Sequence, residues 1–102
     1  MTLKTIEIYY DIATIPGCDP THPMDPKALP FRNAAMTLIE AALVNAEAGE
    51  WEGAEIGMGE VNFGFEVKDF DRAETIVRQT VAGTPYANIR EITRSEYDPD
   101  LA

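Results

Sequence analysis

The residues best suited to metal binding or catalysis lie close together in the first third of the chain. Cys18 and His22 are separated by three residues, and Asp25 follows them. A thiolate, an imidazole and a carboxylate are all metal ligands, and this spacing can bring two of them to one ion. A cysteine beside a histidine can also be an activated nucleophile. Because the chain holds one cysteine and one histidine, Cys18 and His22 are weak candidates for either role, and no cofactor is predicted.

The segment that carries these residues is rich in proline. Residues 13–30 contain five of the seven prolines, and proline interrupts both helices and central strands. One hypothesis is a surface loop in which Asp and Thr side chains cap turns. The other is a small-molecule site or enzyme whose pocket lies between this loop and a sheet, with Tyr10, Cys18 and His22 as its polar groups.

Acidic residues dominate the surface chemistry. Between Arg32 and Lys68 the chain carries seven glutamates and no basic residue, and the formal net charge is −10. A surface of this sign repels phosphates and attracts cations. It argues against nucleic-acid binding, which depends on Lys and Arg, and against adhesion to anionic membranes. A positively charged protein is the favoured partner.

Bulk features predict one cytoplasmic domain over residues 1–102. A single cysteine cannot form an internal disulfide, which favours a reducing compartment. The first ten residues alternate in polarity and do not resemble a signal peptide. No apolar run approaches the ~18 residues that a membrane span needs.

The strongest structural signal is alternation with a period of two. It predicts strands over residues 3–12 and 60–67, each with one buried face. The side chains expected in the core are Ile6, Ile8, Tyr10, Ile12, Val61, Phe63, Phe65 and Val67. Shorter or weaker strands are predicted over 51–58 and 86–94, and a flexible polar tail over 95–102.

Two segments have the helical period instead. One has Pro30 at its first helical position, follows the period from Phe31 and ends before Gly49, and the other covers residues 70–81 with Asp69 as its N-cap. The stripe predicted to be buried on the first helix is Phe31, Ala34, Ala35, Leu38, Ile39, Ala42, Leu43 and Ala46. The glutamates at 40, 47, 50 and 52 are assigned to this helix and its exit, where they would face water.

The order of elements predicts a ferredoxin-like βαββαβ fold of the α+β class. In that arrangement a four-stranded antiparallel sheet carries both helices on one face. The right-handed crossover rule places the first and third strands side by side in the centre. The opposite face of the sheet would then be open to solvent.

That open face is the predicted binding surface. The residues expected on it are Glu7, Tyr9, Asp11, Glu55, Glu60, Asn62, Gly64 and Glu66. Gly64 stands out because a glycine inside a central strand often marks the close approach of a ligand or another backbone. One hypothesis is a face that engages a basic partner, as an inhibitor or immunity-type protein would. The other is a polar face that is simply solvated.

The same charges restrict self-association. Two acidic faces brought together would place like charges opposite each other, at a cost of several kcal/mol. A monomer or a dimer paired through the sheet edges is therefore expected, and dimerisation through the open face is disfavoured.

Overall fold

A computed structural model of the chain describes residues 2–98 and Asp100. Within them, four strands and two α-helices follow the predicted order, with one turn of 3-10 helix after the first strand. The bounds are β1 Leu3–Asp11, the 3-10 turn Ile12–Thr14, α1 Ala28–Asn45, β2 Gly49–Gly57, β3 Glu60–Val67, α2 Phe70–Val81 and β4 Glu91–Tyr97.

The four strands form one antiparallel sheet in the order β2-β3-β1-β4. The first and third strands are therefore neighbours at its centre, as predicted. The two helices pack against each other and against the strands. A small α+β domain with a four-stranded antiparallel sheet is confirmed.

The core forms where alternate residues of the central strands meet the helices. All eight strand residues predicted to be buried are at most 5% exposed. The helices contribute Ala35, Ile39 and Leu43 from α1, and Ala73 and Val77 from α2, all fully buried. Because the large apolar side chains buried on each central strand share one parity, both helices cover the same face of the sheet.

The second helix begins and ends where the sequence predicts. The Asp69 carboxylate accepts a hydrogen bond from the Arg72 backbone N–H at 2.9 Å, which is the N-cap interaction. After Val81 the chain turns at Gly83, whose φ of +76° favours glycine.

The first helix differs from prediction in its start and in its buried side. It begins at Ala28 rather than Pro30, and Ala34 and Leu38 are exposed although they were expected to be buried. The row of Ala35, Ile39 and Leu43 faces the sheet instead. This helix carries apolar residues on all of its sides, so their spacing alone does not determine which side faces the sheet.

No helix among the described residues is long and apolar enough to cross a membrane.

Both edge strands also differ from prediction. The strand β2 begins at Gly49 and ends at Gly57, which leaves Met58 in the hairpin turn, 76% exposed. The strand β4 covers Glu91–Tyr97 rather than 86–94. Residues 95–97, predicted to lie in a flexible tail, pair with β1 because that strand offers an unpaired edge. Of the rest of that tail, residues 99, 101 and 102 lie outside the described residues.

The proline-rich loop is organised around a buried carboxylate. Asp25 is 5% exposed and accepts hydrogen bonds from the backbone N–H groups of Asp19 (2.9 Å) and Lys27 (3.0 Å). These bonds lower the pKa of Asp25. The loop also contacts the β2–β3 hairpin, where the Gly59 N–H donates to the Pro23 carbonyl at 2.7 Å.

We predict that Phe63→Ala destabilises the domain by about 3–5 kcal/mol, because it removes a fully buried ring from the centre of the core. Urea unfolding followed by circular dichroism measures the loss. Met58→Ala is the matched control, since Met58 is exposed in the turn, and its effect should stay within about 0.5 kcal/mol. Equal losses in the two variants would contradict this account of the core.

Candidate functional site

The open face of the sheet carries the predicted acidic surface. In the β1–β3 register Glu7 lies opposite Gly64, and Tyr9 lies opposite Asn62. The same register pairs Asp11 with Glu60. Glu55 on β2 lies opposite Asn62 on β3, and Glu66 on β3 lies opposite Thr5 on β1. The structure therefore brings all eight predicted residues to one face, although their role in binding stays a prediction.

A basic residue that the sequence did not single out sits on this face. The Arg90 guanidinium forms ion pairs with Asp11 (2.8 Å), Glu91 (2.9 Å) and Glu60 (3.3 Å). It also lies over the Tyr9 ring, 5.2 Å from its centroid. The hydrogen bond to Asp11, followed by those to Glu91 and Glu60, raises the pKa of Arg90. Arg90 thus neutralises part of the predicted acidic face from within the chain.

The position of Arg90 depends on the loop before β4. Its backbone N–H donates to the Tyr9 carbonyl at 2.8 Å, which anchors the loop beside the end of β1. The arginine is 79 residues from Asp11 in the chain. Because no local pattern connects residues so far apart, the sequence offered no signal for this contact.

Two glutamates were assigned to the wrong element. Glu50 and Glu52 were placed at the exit of the first helix; both are exposed, as expected, but they lie in β2, where Glu50 pairs with Glu66 and Glu52 falls at a register shift between Trp51 and Gly53. A β-bulge inserts an extra residue and changes which side chains face each side of the sheet. The bulge brings Glu52 to the open face, where its carboxylate lies beside Glu7 and Glu66. Burial, then repulsion by Glu66 and Glu7, raises the pKa of Glu52.

Around Glu52 the open face forms a shallow groove of about 530 Å³. We call it the acidic groove. Its lining residues are Thr5, Glu7, Glu52, Gly53, Ala54, Glu55, Asn62, Gly64, Ser95 and Tyr97. Gly53 and Gly64 lie opposite each other in the sheet, so the floor between the carboxylates is bare backbone.

Gly64 is the residue that keeps this floor open. A Cβ at this position would lie 3.5 Å from the Glu7 Cγ and 3.7 Å from a Glu52 carboxylate oxygen. It would also lie 3.2 Å from the Ile6 carbonyl oxygen, a tight contact. Any larger side chain would displace the two glutamates or fill the space between them. The glycine is therefore explained by the close approach of side chains across the strand.

The charges of the acidic groove are not balanced by basic side chains. In residues 2–98 and Asp100, the ion pairs of the acidic face all involve Arg90, and none includes the groove residues Glu7, Glu52 or Glu55. The Tyr9 hydroxyl donates to a Glu7 carboxylate oxygen at 2.5 Å. That bond, together with burial and the Glu7 charge, raises the pKa of Tyr9.

This geometry suits the recognition of a cation. Carboxylates accept charge-assisted hydrogen bonds from ammonium and guanidinium groups. Asn62 and Ser95 add neutral polar groups, and Tyr97, 44% exposed, presents an aromatic ring at the side of the groove. An arginine or lysine side chain matches this combination of charge and shape.

The residues of the proline-rich loop have separate environments. The Tyr10 hydroxyl is buried and donates to the Tyr86 carbonyl at 2.8 Å. Cys18 packs partly buried against the core, and burial, followed by the Asp25 charge, raises its pKa, which lowers the fraction of reactive thiolate. His22 is exposed, and its Nδ1 accepts from the Met24 N–H at 3.2 Å. Across the described part of the chain, no three His, Cys, Asp or Glu side chains are placed to hold one metal ion.

Comparisons of the chain with protein-family models, curated proteins and solved structures found no match. Function must therefore be inferred from the chemistry of the molecule's own surface. The acidic groove and the neighbouring Arg90 cluster provide the evidence for that inference.

We predict that Arg90→Gln destabilises the domain by about 1 kcal/mol at low salt, because it leaves three carboxylates facing one another. High salt should reduce the loss, since it screens partly exposed charges. Urea unfolding at two ionic strengths measures both effects. Arg32→Gln is the matched control, because Arg32 bonds to the Asn33 side chain rather than to a carboxylate. A loss that does not depend on salt would contradict an electrostatic role for Arg90.

We predict that Glu52→Gln stabilises the domain at neutral pH. Its raised pKa means that the folded state holds the Glu52 proton more tightly than the unfolded state, so ionisation of Glu52 opposes folding as the pH rises. The gain should be a fraction of a kcal/mol and should disappear below about pH 4, where the unfolded glutamate is also protonated. Thermal unfolding across this pH range measures it, with Glu40→Gln on α1 as control. A gain that persists in acid would exclude the charge of Glu52 as its cause.

Proposed function

We propose that this chain is a small binding domain of ferredoxin-like fold whose acidic sheet face engages a positively charged partner. The fold assignment is supported by the antiparallel order β2-β3-β1-β4 and by the packing of both helices on one face. The observation that carries the binding proposal is the acidic groove. There Glu7, Glu52 and Glu55 lie around a floor of bare backbone, and none of them forms an ion pair within the described residues.

Solvation of the sheet face does not require its carboxylates to be clustered. Like charges on neighbouring strands destabilise a sheet, and Glu52 is held close enough to Glu7 and Glu66 for their repulsion to raise its pKa. A bound cation would relieve that repulsion. Binding would then restore part of the stability that repulsion between the carboxylates removes from the free domain.

The contacts of Arg90 support the proposal, because they are an example within the chain of an arginine side chain bound to the acidic sheet face. Its guanidinium lies over the Tyr9 ring and pairs with carboxylates from β1, β3 and β4. Such stacking and forked hydrogen bonding are characteristic of arginine recognition. An arginine from a partner would meet similar chemistry in the acidic groove, on the same face of the sheet.

The partner class that fits is a basic protein. An inhibitor or immunity-type protein that covers a basic nuclease or nucleic-acid-binding site would need such a surface, because it must compete with a polyanion. The same charge disfavours nucleic acids and anionic membranes as partners. A cytoplasmic setting is part of the proposal, since Cys18 cannot form an internal disulfide.

The alternative of a small-molecule site or enzyme beside the 13–30 loop has less support. Its polar groups are Tyr10, Cys18 and His22, and they lie in the three different environments described above. None of these three residues lines the acidic groove on the open face of the sheet.

We predict that the double charge reversal Glu52→Lys/Glu55→Lys, at two glutamates that line the acidic groove, weakens binding of an oligo-arginine peptide by about tenfold or more. Each reversal replaces an attraction worth roughly 1 kcal/mol with a repulsion. Isothermal titration calorimetry at low and high salt measures the affinity, which should fall with salt in the wild-type chain.

The control for this experiment is Glu40→Lys/Glu47→Lys. It changes the net charge by the same amount, but its positions lie on and after α1, away from the acidic groove. Equal weakening by the two double variants would show that net charge alone attracts the peptide and would overturn the proposed site. Capture of a basic protein from lysate by the wild-type chain, and not by Glu52→Lys/Glu55→Lys, would extend the result to a natural partner.

A further inference from the structure

The strand β2 forms one edge of the sheet. In the order β2-β3-β1-β4 it pairs with β3 on one side, and no described strand pairs with its other side. Some of the backbone N–H and carbonyl groups along this outer edge therefore have no partner in the sheet. Such an edge is a template on which an extended segment of another chain can pair through main-chain hydrogen bonds.

The side chains of β2 form two chemically different rows. On the open face the row includes Glu50, Glu52 and Glu55, and the last two line the acidic groove. None of the three forms an ion pair within the described residues. On the side that the helices cover, the larger side chains are Trp51 and Ile56, which lie opposite core residues of β3. The edge strand is therefore acidic on one side and apolar on the other.

Trp51 is the most exposed part of the apolar row. It lies opposite Phe65, which is fully buried, yet Trp51 itself is 49% exposed. Tryptophan is highly buried on average, and at interfaces it is enriched among the residues that contribute most to binding. Side chains on neighbouring strands lie about 5 Å apart, so a strand added to β2 would cover this ring.

We propose that the positively charged partner binds as an additional strand along the outer edge of β2, through an extended segment in which basic and apolar residues alternate. This inference rests on the proposed function and specifies the conformation and the residue pattern of the bound segment. Because side chains alternate along a strand, the basic residues would lie beside Glu52 and Glu55, and the apolar residues beside Trp51 and Ile56. One occupant would then satisfy both rows of side chains and the unpaired backbone.

The bulge and the charges of β2 restrict which strands can pair with it. The register with β3 is regular from Gly53 to Gly57 and shifts between Trp51 and Gly53. Bulges and charges on an edge protect it against pairing with unrelated strands. A second β2 edge would bring further carboxylates to Glu52 and Glu55, whereas a basic segment would neutralise them. The charges therefore select a basic strand and oppose an edge-paired dimer.

The opposite edge of the sheet, at β4, lacks this combination. Its residues Glu91 and Arg94 form ion pairs within the chain, and Glu96 lies opposite Lys4. These charges have partners of opposite sign in the fold. Charge complementarity therefore favours β2 over β4 as the edge to which a basic strand binds.

The fluorescence of Trp51, the single tryptophan of the chain, tests the proposal directly. The probe is a nine-residue peptide, the length of β2, that alternates arginine and valine. We expect it to shift the emission of Trp51 to shorter wavelength, because the ring becomes less exposed to water. A peptide of the same composition, with its arginines and valines in two blocks, is the matched control. It should bind at least about tenfold more weakly, because it cannot place both residue types on their matching sides.

Two further measurements test the backbone contacts. N-methylation of alternate residues removes N–H donors from the alternating peptide without changing its charge, and it should weaken binding by at least about tenfold. On binding of the unmodified peptide, hydrogen exchange should slow at amides of Gly49–Gly57 and stay unchanged at Glu91–Tyr97, the other edge.

Two results would overturn strand addition and leave the proposed function intact. One is equal affinity for the alternating, block and N-methylated peptides without a shift in Trp51 emission, which would indicate binding by charge alone. The other is slowed exchange at Glu91–Tyr97 in place of Gly49–Gly57, which would place the added strand at the wrong edge. Failure of every basic peptide to bind, oligo-arginine included, would overturn the proposed function and this inference with it.

Discussion

The antiparallel pairing of β1 with β3 is the constraint on which the rest of the molecule depends. It places Ile8 opposite Phe63 on the side that the helices cover, and Glu7 opposite Gly64 on the side that faces solvent. Because side chains alternate along a strand, one register produces both the core and the acidic face. A shift of one residue would move the apolar row into water and the carboxylates into the core. The hydrophobic effect on one face therefore maintains the charge pattern on the other.

The carboxylates at the two ends of the open face have different neighbours. At one end Arg90 pairs with Asp11, Glu60 and Glu91, so the charge is balanced inside the chain. At the other end the bulge in β2 adds Glu52 to a group that already contains negative charge, and Gly64 keeps the space between them open. The first arrangement stabilises the fold. The second raises the pKa of Glu52, because burial and the negative charges of Glu66 and Glu7 disfavour its ionised form.

Much of the fold could be predicted from periodicity. The central strands and α2 were predicted well because their patterns are regular and one side of each is buried. The edge strand β4 was placed too early, since it lies at the margin of the sheet and only Ile92 of its residues packs against the core. The buried side of α1 was only partly predicted, because apolar residues on every side remove the contrast that reveals orientation.

The sequence by itself determined the alternation of β1 and β3, and with it a core face and an acidic face, because a period of two is a property of the extended chain. Only the tertiary structure decided how that acidic face is divided. A bulge changes side-chain parity without a reliable sequence signal, and it brought Glu52 to the groove. A loop contact across 79 residues brought Arg90 to Asp11. Both depend on distances between strands rather than on spacing along the chain, and such distances exist only after the chain has folded.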